Sequence, residues 1–215
     1  MIIKSMQRNG LILTAFALIA TLLVVAISVL TEAPIARQKE QELLRVLNQI
    51  ILPEWHDNDL YHSCTLVSDP ALGPGERRVY RAELAGQPTA TAIEVTAPDG
   101  YSGAIHLLVA IHADGSIAGV RTLAHNETPG LGDKIELRVS DWITHFTGQK
   151  VNGADDPRWN VKRYGGMFDQ FTGATITPQA VVTAVQRAAL VAAAQQEQWY
   201  AAPANCFPQQ AEVSP

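Results

Sequence analysis

The chain has 215 residues, of which 47% are hydrophobic and 17% are charged. This length and composition predict one globular domain with an attached segment and exclude a long disordered protein. A net charge of -5 offers no basic surface for counterion release, so we expect no nucleic-acid partner. Two cysteines are too few for a disulfide scaffold or a four-thiolate metal site, and we expect no bound metal.

The hydrophobic excess is concentrated near the N-terminus. Residues 11–30 form an apolar run without a charged side chain. About 20 residues at a rise of roughly 1.5 Å match a hydrocarbon core of roughly 30 Å, which predicts a transmembrane helix over this run. A cleaved signal peptide is the alternative, but its apolar region is usually ~7 to 15 residues long and ends at an A-x-A-like site.

Charges on the two sides of the run predict its orientation. Lys4 and Arg8 precede it and Glu32 follows it, so we expect residues 1–10 to be cytoplasmic and the bulk of the chain to lie across the membrane. An oxidising compartment there permits a disulfide between the two cysteines, and two unpaired thiols are the alternative. These cysteines are Cys64 and Cys206.

The rest of the chain shows both strand and helix patterns. Residues 31–53 have spaced apolar positions and stop at Pro53, which predicts an amphipathic connecting helix. A long Ala-rich helix is predicted over 180–198, with Thr177 as its N-cap and Pro178 in its first position. Strands are predicted over 78–84, 89–96, 104–111 and 117–123, and a short helix over 141–146.

Together these elements predict an α+β domain over residues 54–200 with a mainly antiparallel sheet and packed helices. A tail over residues 201–215 follows it.

The clearest chemical signal lies directly before the long helix. Residues 169–175 read Asp-Gln-Phe-Thr-Gly-Ala-Thr, which leaves little side-chain bulk beside the last hydroxyl. A helix N-terminus has unpaired N–H groups and a partial positive charge, and both stabilise an anion held there. From spacing alone, an ordinary helix start with capping threonines is the simpler interpretation.

The segment 169–175 resembles the flavinylation motif of the FMN-binding domain family, whose last threonine is esterified to the phosphate of FMN. Residues 125–132, His-Asn-Glu-Thr-Pro-Gly-Leu-Gly, are similar to a second signature of that family. With the segments 99–104, 131–138 and 140–145 and the single span, the pattern most resembles the G subunits of Rnf electron transport complexes, called Rsx in enteric bacteria. Thr172 stands where many members have serine, which keeps a hydroxyl.

The resemblance implies that FMN is attached covalently to Thr175 through its phosphate. A separate magnesium-dependent flavin transferase would take FMN from FAD and recognise the motif that contains Asp169. The resemblance also implies an electron-transfer subunit without turnover of its own, which works with other Rnf/Rsx subunits in the bacterial inner membrane. Its main domain would be periplasmic. The implied pocket residues are Thr172, Gly173, Ala174, Glu127, Thr128, Leu131, Tyr101 and Lys162.

Each pocket residue has a role in the flavin interpretation and a simpler alternative. Tyr101 can pack on the isoalloxazine ring and Leu131 can shield one face of it, or both can belong to the core. Lys162 can raise the reduction potential through its charge, or it can be an ordinary surface lysine. Glu127 and Thr128 can bond the ring edge or the ribityl chain.

A rival function from a different class is a membrane-tethered binding or assembly module without redox chemistry. Covalent flavin, present after coexpression with a transferase, separates the two hypotheses. The absence of a recognisable catalytic triad or carboxylate pair agrees with a relay that needs little acid-base machinery.

Overall fold

The computed structural model describes residues 2–207, so Met1 and the end of the predicted tail, 208–215, lie outside the described residues. The chain divides into two units, the first ending at Leu43 and the second beginning at Leu44.

One helix, α1 (Ile2–Ile50), covers both the predicted span and most of the predicted connecting helix. Its most apolar window has a mean hydropathy of 2.7 and contains no buried residue, so α1 is long and apolar enough to cross a membrane. Two hydroxyls in the run are satisfied within the helix. Thr14 Oγ1 donates to the carbonyl of Gly10 at 2.9 Å, and Thr21 Oγ1 donates to that of Ala17 at 2.8 Å.

The second unit is built on a five-stranded antiparallel sheet in which each strand pairs with the next one along the chain. The predicted strands are confirmed as β2 to β5, whereas β1 was not predicted. The strands are β1 (Cys64–Val67), β2 (Arg77–Leu84), β3 (Gln87–Gly100), β4 (Gly103–His112) and β5 (Ile117–Ala124).

The C-terminal helix α2 (Ile176–Ala201) packs on the sheet and completes an α+β fold, which confirms the predicted fold class. Alanine and valine on its buried face let the helix approach the strands closely. The buried core includes Val95, Leu107 and Val109 of the sheet and Val181, Val185 and Ala188 of α2. The predicted short helix is confirmed as a 3-10 helix at Trp142–Phe146.

The end of α1 also belongs to the second unit, where Leu47 and Ile50 are buried. Ile50 packs against Gly119 of β5, and a Cβ atom on that glycine would lie 2.8 Å from Ile50 Cγ2. A side chain at Gly119 would therefore displace the helix end from the sheet.

The predicted start of α2 was two residues late. Thr175, not Thr177, is the N-cap, and α2 begins at Ile176. Pro178 is accommodated in the first turn because an N–H there has no partner inside the helix. Thr177 is fully buried and its hydroxyl donates to Glu127 Oε2 instead of capping.

The C-terminal end of α2 is tied to the sheet by a buried arginine and a disulfide. Arg81 of β2 donates from Nη1 to the carbonyls of Trp199 at 2.8 Å and Ala202 at 2.5 Å. A disulfide joins Cys64 of β1 to Cys206, with 5.5 Å between their Cα atoms. The last described residues are thereby held against the edge strand β1.

Candidate cofactor site

A cavity of about 330 Å³ lies where three segments of the second unit meet. The segments are the β3–β4 turn, the loop 125–132, and the residues that lead into α2. Its volume falls within the range of about 300 to 1,000 Å³ that is typical of small-molecule sites. Seven of the residues predicted for the site line this cavity: Tyr101, Glu127, Thr128, Leu131, Gly173, Ala174 and Thr175.

The cavity is apolar at three exposed positions and polar around the start of α2. Tyr101 is 69% exposed at the tip of the β3–β4 turn, Leu131 is 43% exposed and Ile176 is 51% exposed. These side chains can cover the faces of a flat aromatic ligand. The hydroxyl of Thr175 provides a polar group at the helix start, whereas the hydroxyl of Thr177 is buried against Glu127.

Aromatic residues of the core hold the segment 169–175 in place. Phe171 is buried, and the ring of Trp142 meets it edge-on with 5.0 Å between centroids. Trp142 Nε1 also donates to the carbonyl of Asp169 at 2.8 Å. Gly173 then turns the chain with a φ of +82°, a conformation that side chains rarely adopt. This turn brings Ala174 and Thr175 to the cavity.

Thr175 is half-buried and its hydroxyl makes no capping hydrogen bond. Its Oγ1 lies 3.5 Å from Arg163 Nη1, at the outer limit of a hydrogen bond. The first-turn N–H groups of α2 have no partners inside the helix and contribute a partial positive charge. An accessible hydroxyl, a helix N-terminus and a guanidinium therefore meet at one point, which suits a phosphate on Thr175.

Two of the predicted pocket residues, Thr172 and Lys162, do not line the cavity, and neither does Asp169, which was predicted for recognition by the transferase. Thr172 is exposed on the turn before Gly173. Lys162 Nζ lies 2.6 Å from Asp169 Oδ1, so these two side chains form an ion pair. The action of Lys162 on a flavin ring stays a prediction.

Arg163 was missed by sequence reasoning. It lies on a short 3-10 helix at Lys162–Tyr164, directly beside Lys162. The adjacent pair of cations just before the motif was a visible signal. The sequence does not show in which direction each of two neighbouring residues points on a 3-10 turn.

The loop 125–132 is fixed by a chain of hydrogen bonds. The N–H of Glu127 donates to His125 Nδ1 at 3.0 Å, so His125 carries its proton on Nε2 and donates to Glu136 Oε1 at 2.6 Å. Hydrogen bonding from Arg138, and secondarily from His125, lowers the pKa of Glu136. Ionised Glu136 therefore fixes His125, which in turn fixes the loop 125–132.

Both carboxylate oxygens of Glu127 accept hydrogen bonds from the protein, and its contact with a flavin stays a prediction. Its Oε1 accepts from the N–H of Ser102 at 2.9 Å, and its Oε2 accepts from the hydroxyl of Thr177. The cavity nevertheless offers flat apolar contacts, hydroxyls and an anion site. These residues fit a ligand with an aromatic ring system and a phosphate, such as FMN.

Comparisons with known proteins agree with this fit. Residues 100–190, which include every residue lining the cavity, match the FMN-binding domain family, and residues 1–50 match the RnfG N-terminal region. The chain is 52% identical to the G subunit of the ion-translocating oxidoreductase complex of Escherichia coli O157:H7, over 94% of this chain and 98% of the relative.

Two other relatives carry the same description. Identity is 53% to the Escherichia coli K12 protein, over 88% of this chain and 92% of the relative. It is 49% to a Vibrio cholerae protein from the Classical Ogawa 395 strain, over 95% of this chain and 98% of the relative. The chain therefore belongs to the family of G subunits of ion-translocating oxidoreductase complexes, and its second unit contains an FMN-binding domain.

Proposed function

We propose that this chain is the flavoprotein subunit that relays electrons in a membrane-bound, ion-translocating complex, through FMN held on Thr175 by a phosphoester bond. The observation that carries the proposal is the position of the Thr175 hydroxyl. It lies on the cavity wall, uncommitted to helix capping, beside the N-terminus of α2 and Arg163. The named relatives and the FMN-binding domain family support the redox role and the other subunits as partners.

Attachment is a phosphoryl transfer with no change of oxidation state. Thr175 Oγ attacks the phosphorus in the FMN half of FAD, so an Oγ–P bond forms and the pyrophosphate P–O bond breaks. AMP leaves, and the hydroxyl proton passes to a base on the flavin transferase. The turn at Gly173 places no side chain beside Thr175, so a second enzyme has room to reach that oxygen.

Bound flavin supplies one-electron and two-electron transfer. The residues of this chain retain it, cover its faces and set the charge around it. Tyr101, Leu131 and Ile176 exclude water from the ring, while Arg163 and the α2 N-terminus offset the phosphate charge. A covalent bond prevents loss of the cofactor in a compartment where free FMN is scarce.

The same proposal puts the FMN-binding domain on the periplasmic side of the bacterial inner membrane. Lys4 and Arg8 before the apolar run support a cytoplasmic N-terminus. The disulfide between Cys64 and Cys206 is of a kind that persists in oxidising compartments.

One experiment tests attachment and location together. The full chain is coexpressed with a flavin transferase that either carries or lacks an export signal, and its intact mass is measured before peptide mapping. We expect the mass of one FMN less one water, on the peptide containing Thr175, with the exported transferase alone. Modification by the cytoplasmic transferase alone would refute the location, and an unmodified chain in both cases would refute the attachment and favour the binding-module alternative.

Arg163→Gln is expected to slow flavinylation about fivefold, because a partly exposed charge contact contributes up to about 1 kcal/mol. The rate is followed as flavin fluorescence on denaturing gels after mixing purified chain, transferase and FAD. Arg163→Lys keeps the cation and is expected to retain most of the rate.

Lys162→Gln is the matched control for Arg163, since it removes the neighbouring cation, which pairs with Asp169 instead. An equal slowing in both variants would show that the Arg163 contact has no specific role in the transfer.

A further inference from the structure

Glu127 is a buried carboxylate in the wall of the cavity. Only 5% of the residue is exposed, although it is an ionisable side chain. Two glycines close around it: a Cβ atom on Gly100 would lie 2.9 Å from its Oε1, and one on Gly132 would lie 2.9 Å from its Cβ. The two glycines therefore leave space for the Glu127 side chain that a larger residue at either position would occupy.

The two carboxylate oxygens of Glu127 connect all three segments of the cavity. Oε1 binds the N–H of Ser102 in the β3–β4 turn that carries Tyr101, and Oε2 binds Thr177 in the first turn of α2. Glu127 itself lies on the loop that carries Leu131. A single carboxylate thus sets the spacing between the two apolar side chains and the helix that bears Thr175.

The hydrogen bonds also suit the ionised form of Glu127. A backbone N–H can only donate, so Oε1 acts as an acceptor, and the Thr177 hydroxyl is able to donate to Oε2. Among the side chains that the structure describes, no lysine or arginine forms an ion pair with Glu127. Its negative charge is therefore not offset by a contacting cation.

We infer that Glu127 is a positioning residue that joins the three walls of the cavity, and that its fixed negative charge lowers the reduction potential of the flavin bound there. The second half of this inference rests on the proposed function.

The expected sign follows from charge alone. Reduction of a flavin adds negative charge to its ring, and a nearby anion opposes that addition. The opposition is stronger in a buried wall than in water, because the effective dielectric constant is lower. Lys162 would act in the opposite direction, but it is paired with Asp169 and its side chain is 56% exposed.

The midpoint potential of the bound flavin tests the effect of the Glu127 charge. Glu127→Gln keeps the size and an acceptor oxygen, so the loaded full chain is expected to show a midpoint potential at least about 30 mV more positive, which is a tenfold change for a two-electron couple. Glu94→Gln on β3 is the control, because it removes a partly buried carboxylate that does not line the cavity and should leave the potential unchanged. No shift, or a negative shift, in Glu127→Gln would overturn the charge assignment.

Hydrogen exchange tests the positioning role without any flavin. In the unloaded full chain, the Ser102 amide is expected to exchange about tenfold faster in Glu127→Ala, because its charge-assisted partner is lost, and to stay protected in Glu127→Gln. Thr177→Val should break the hydrogen bond between Glu127 and α2, whereas Thr177→Ser should retain it.

Unchanged Ser102 exchange in Glu127→Ala would overturn the positioning role. A wild-type chain that never carries flavin would instead refute the proposed function, and the exchange result would still decide whether Glu127 joins the cavity walls.

Discussion

Replacing Thr175 with alanine is expected to abolish covalent flavin completely, since the phosphoester has no other oxygen at that position. The in-gel fluorescence of the chain, made together with an exported transferase, should fall to background, and its intact mass should be that of the bare polypeptide. Thr175→Ser keeps the oxygen and is expected to retain labelling. A fluorescent Thr175→Ala band of the correct mass would show that another residue carries the flavin.

The fold should survive this substitution, which makes a negative result interpretable. The Thr175 side chain makes no capping hydrogen bond to α2, so the usual cost of about 1 kcal/mol for losing an N-cap does not apply. The thermal midpoint of Thr175→Ala is therefore expected to match that of the unloaded wild-type chain.

Thr172→Ala separates attachment from recognition. Thr172 is exposed on the turn and does not line the cavity. Its replacement is expected to weaken labelling without abolishing it, because the attacking oxygen is retained. Complete loss in Thr172→Ala, together with partial loss in Thr175→Ala, would reverse the assignment of the two hydroxyls.

Local patterns were sufficient to predict most of the fold. Alternating apolar residues between turn-forming residues identified β2 to β5, and the Ala-rich run identified α2. Strand β1 was missed because four residues show too little alternation. In addition, a hydrogen bond on the outer edge of β1 comes from a residue far along the chain. Leu66 N–H donates to Asn205 Oδ1, across 139 positions of sequence.

The start of α2 shows how a tertiary contact overrides a local signal. Thr177 followed by Pro178 has the residue types of an N-cap and a first helical position. The hydroxyl of Thr177 instead binds Glu127, 50 positions away, and the helix begins at Ile176. No capping rule that reads neighbouring residues alone contains that partner.

The candidate site was likewise predictable only where local sequence motifs determine it. The two family motifs identified the loop and the attachment segment, and the structure brings seven of the predicted residues to one cavity. Roles that depend on direction were not predictable. Glu127 bonds the protein on both oxygens, and Arg163, which was not predicted, faces Thr175. Such roles depend on which side of a turn a residue occupies.

Arg81→Met is expected to destabilise the second unit by about 3 kcal/mol, because it removes the hydrogen bonds that a buried charged donor makes to three carbonyl groups. Arg81 is 7% exposed, and its guanidinium donates to Ser63 at 3.0 Å as well as to Trp199 and Ala202 at the end of α2. It therefore joins the sheet to the helix C-terminus, where a cation also complements the helix dipole. Methionine fills similar space but supplies no donor.

Arg78→Met is the matched control for Arg81, because it makes the same substitution three residues earlier on β2. Its side chain is 45% exposed and pairs with Glu94 at 3.6 Å, so its loss should cost about 0.5 kcal/mol. Urea unfolding of the full chain in detergent measures both variants. All four tryptophans, at 55, 142, 159 and 199, lie in the second unit, so their fluorescence reports that unit and not the apolar part of α1. Equal midpoints for the two variants would show that the guanidinium does not hold the end of α2 on the sheet.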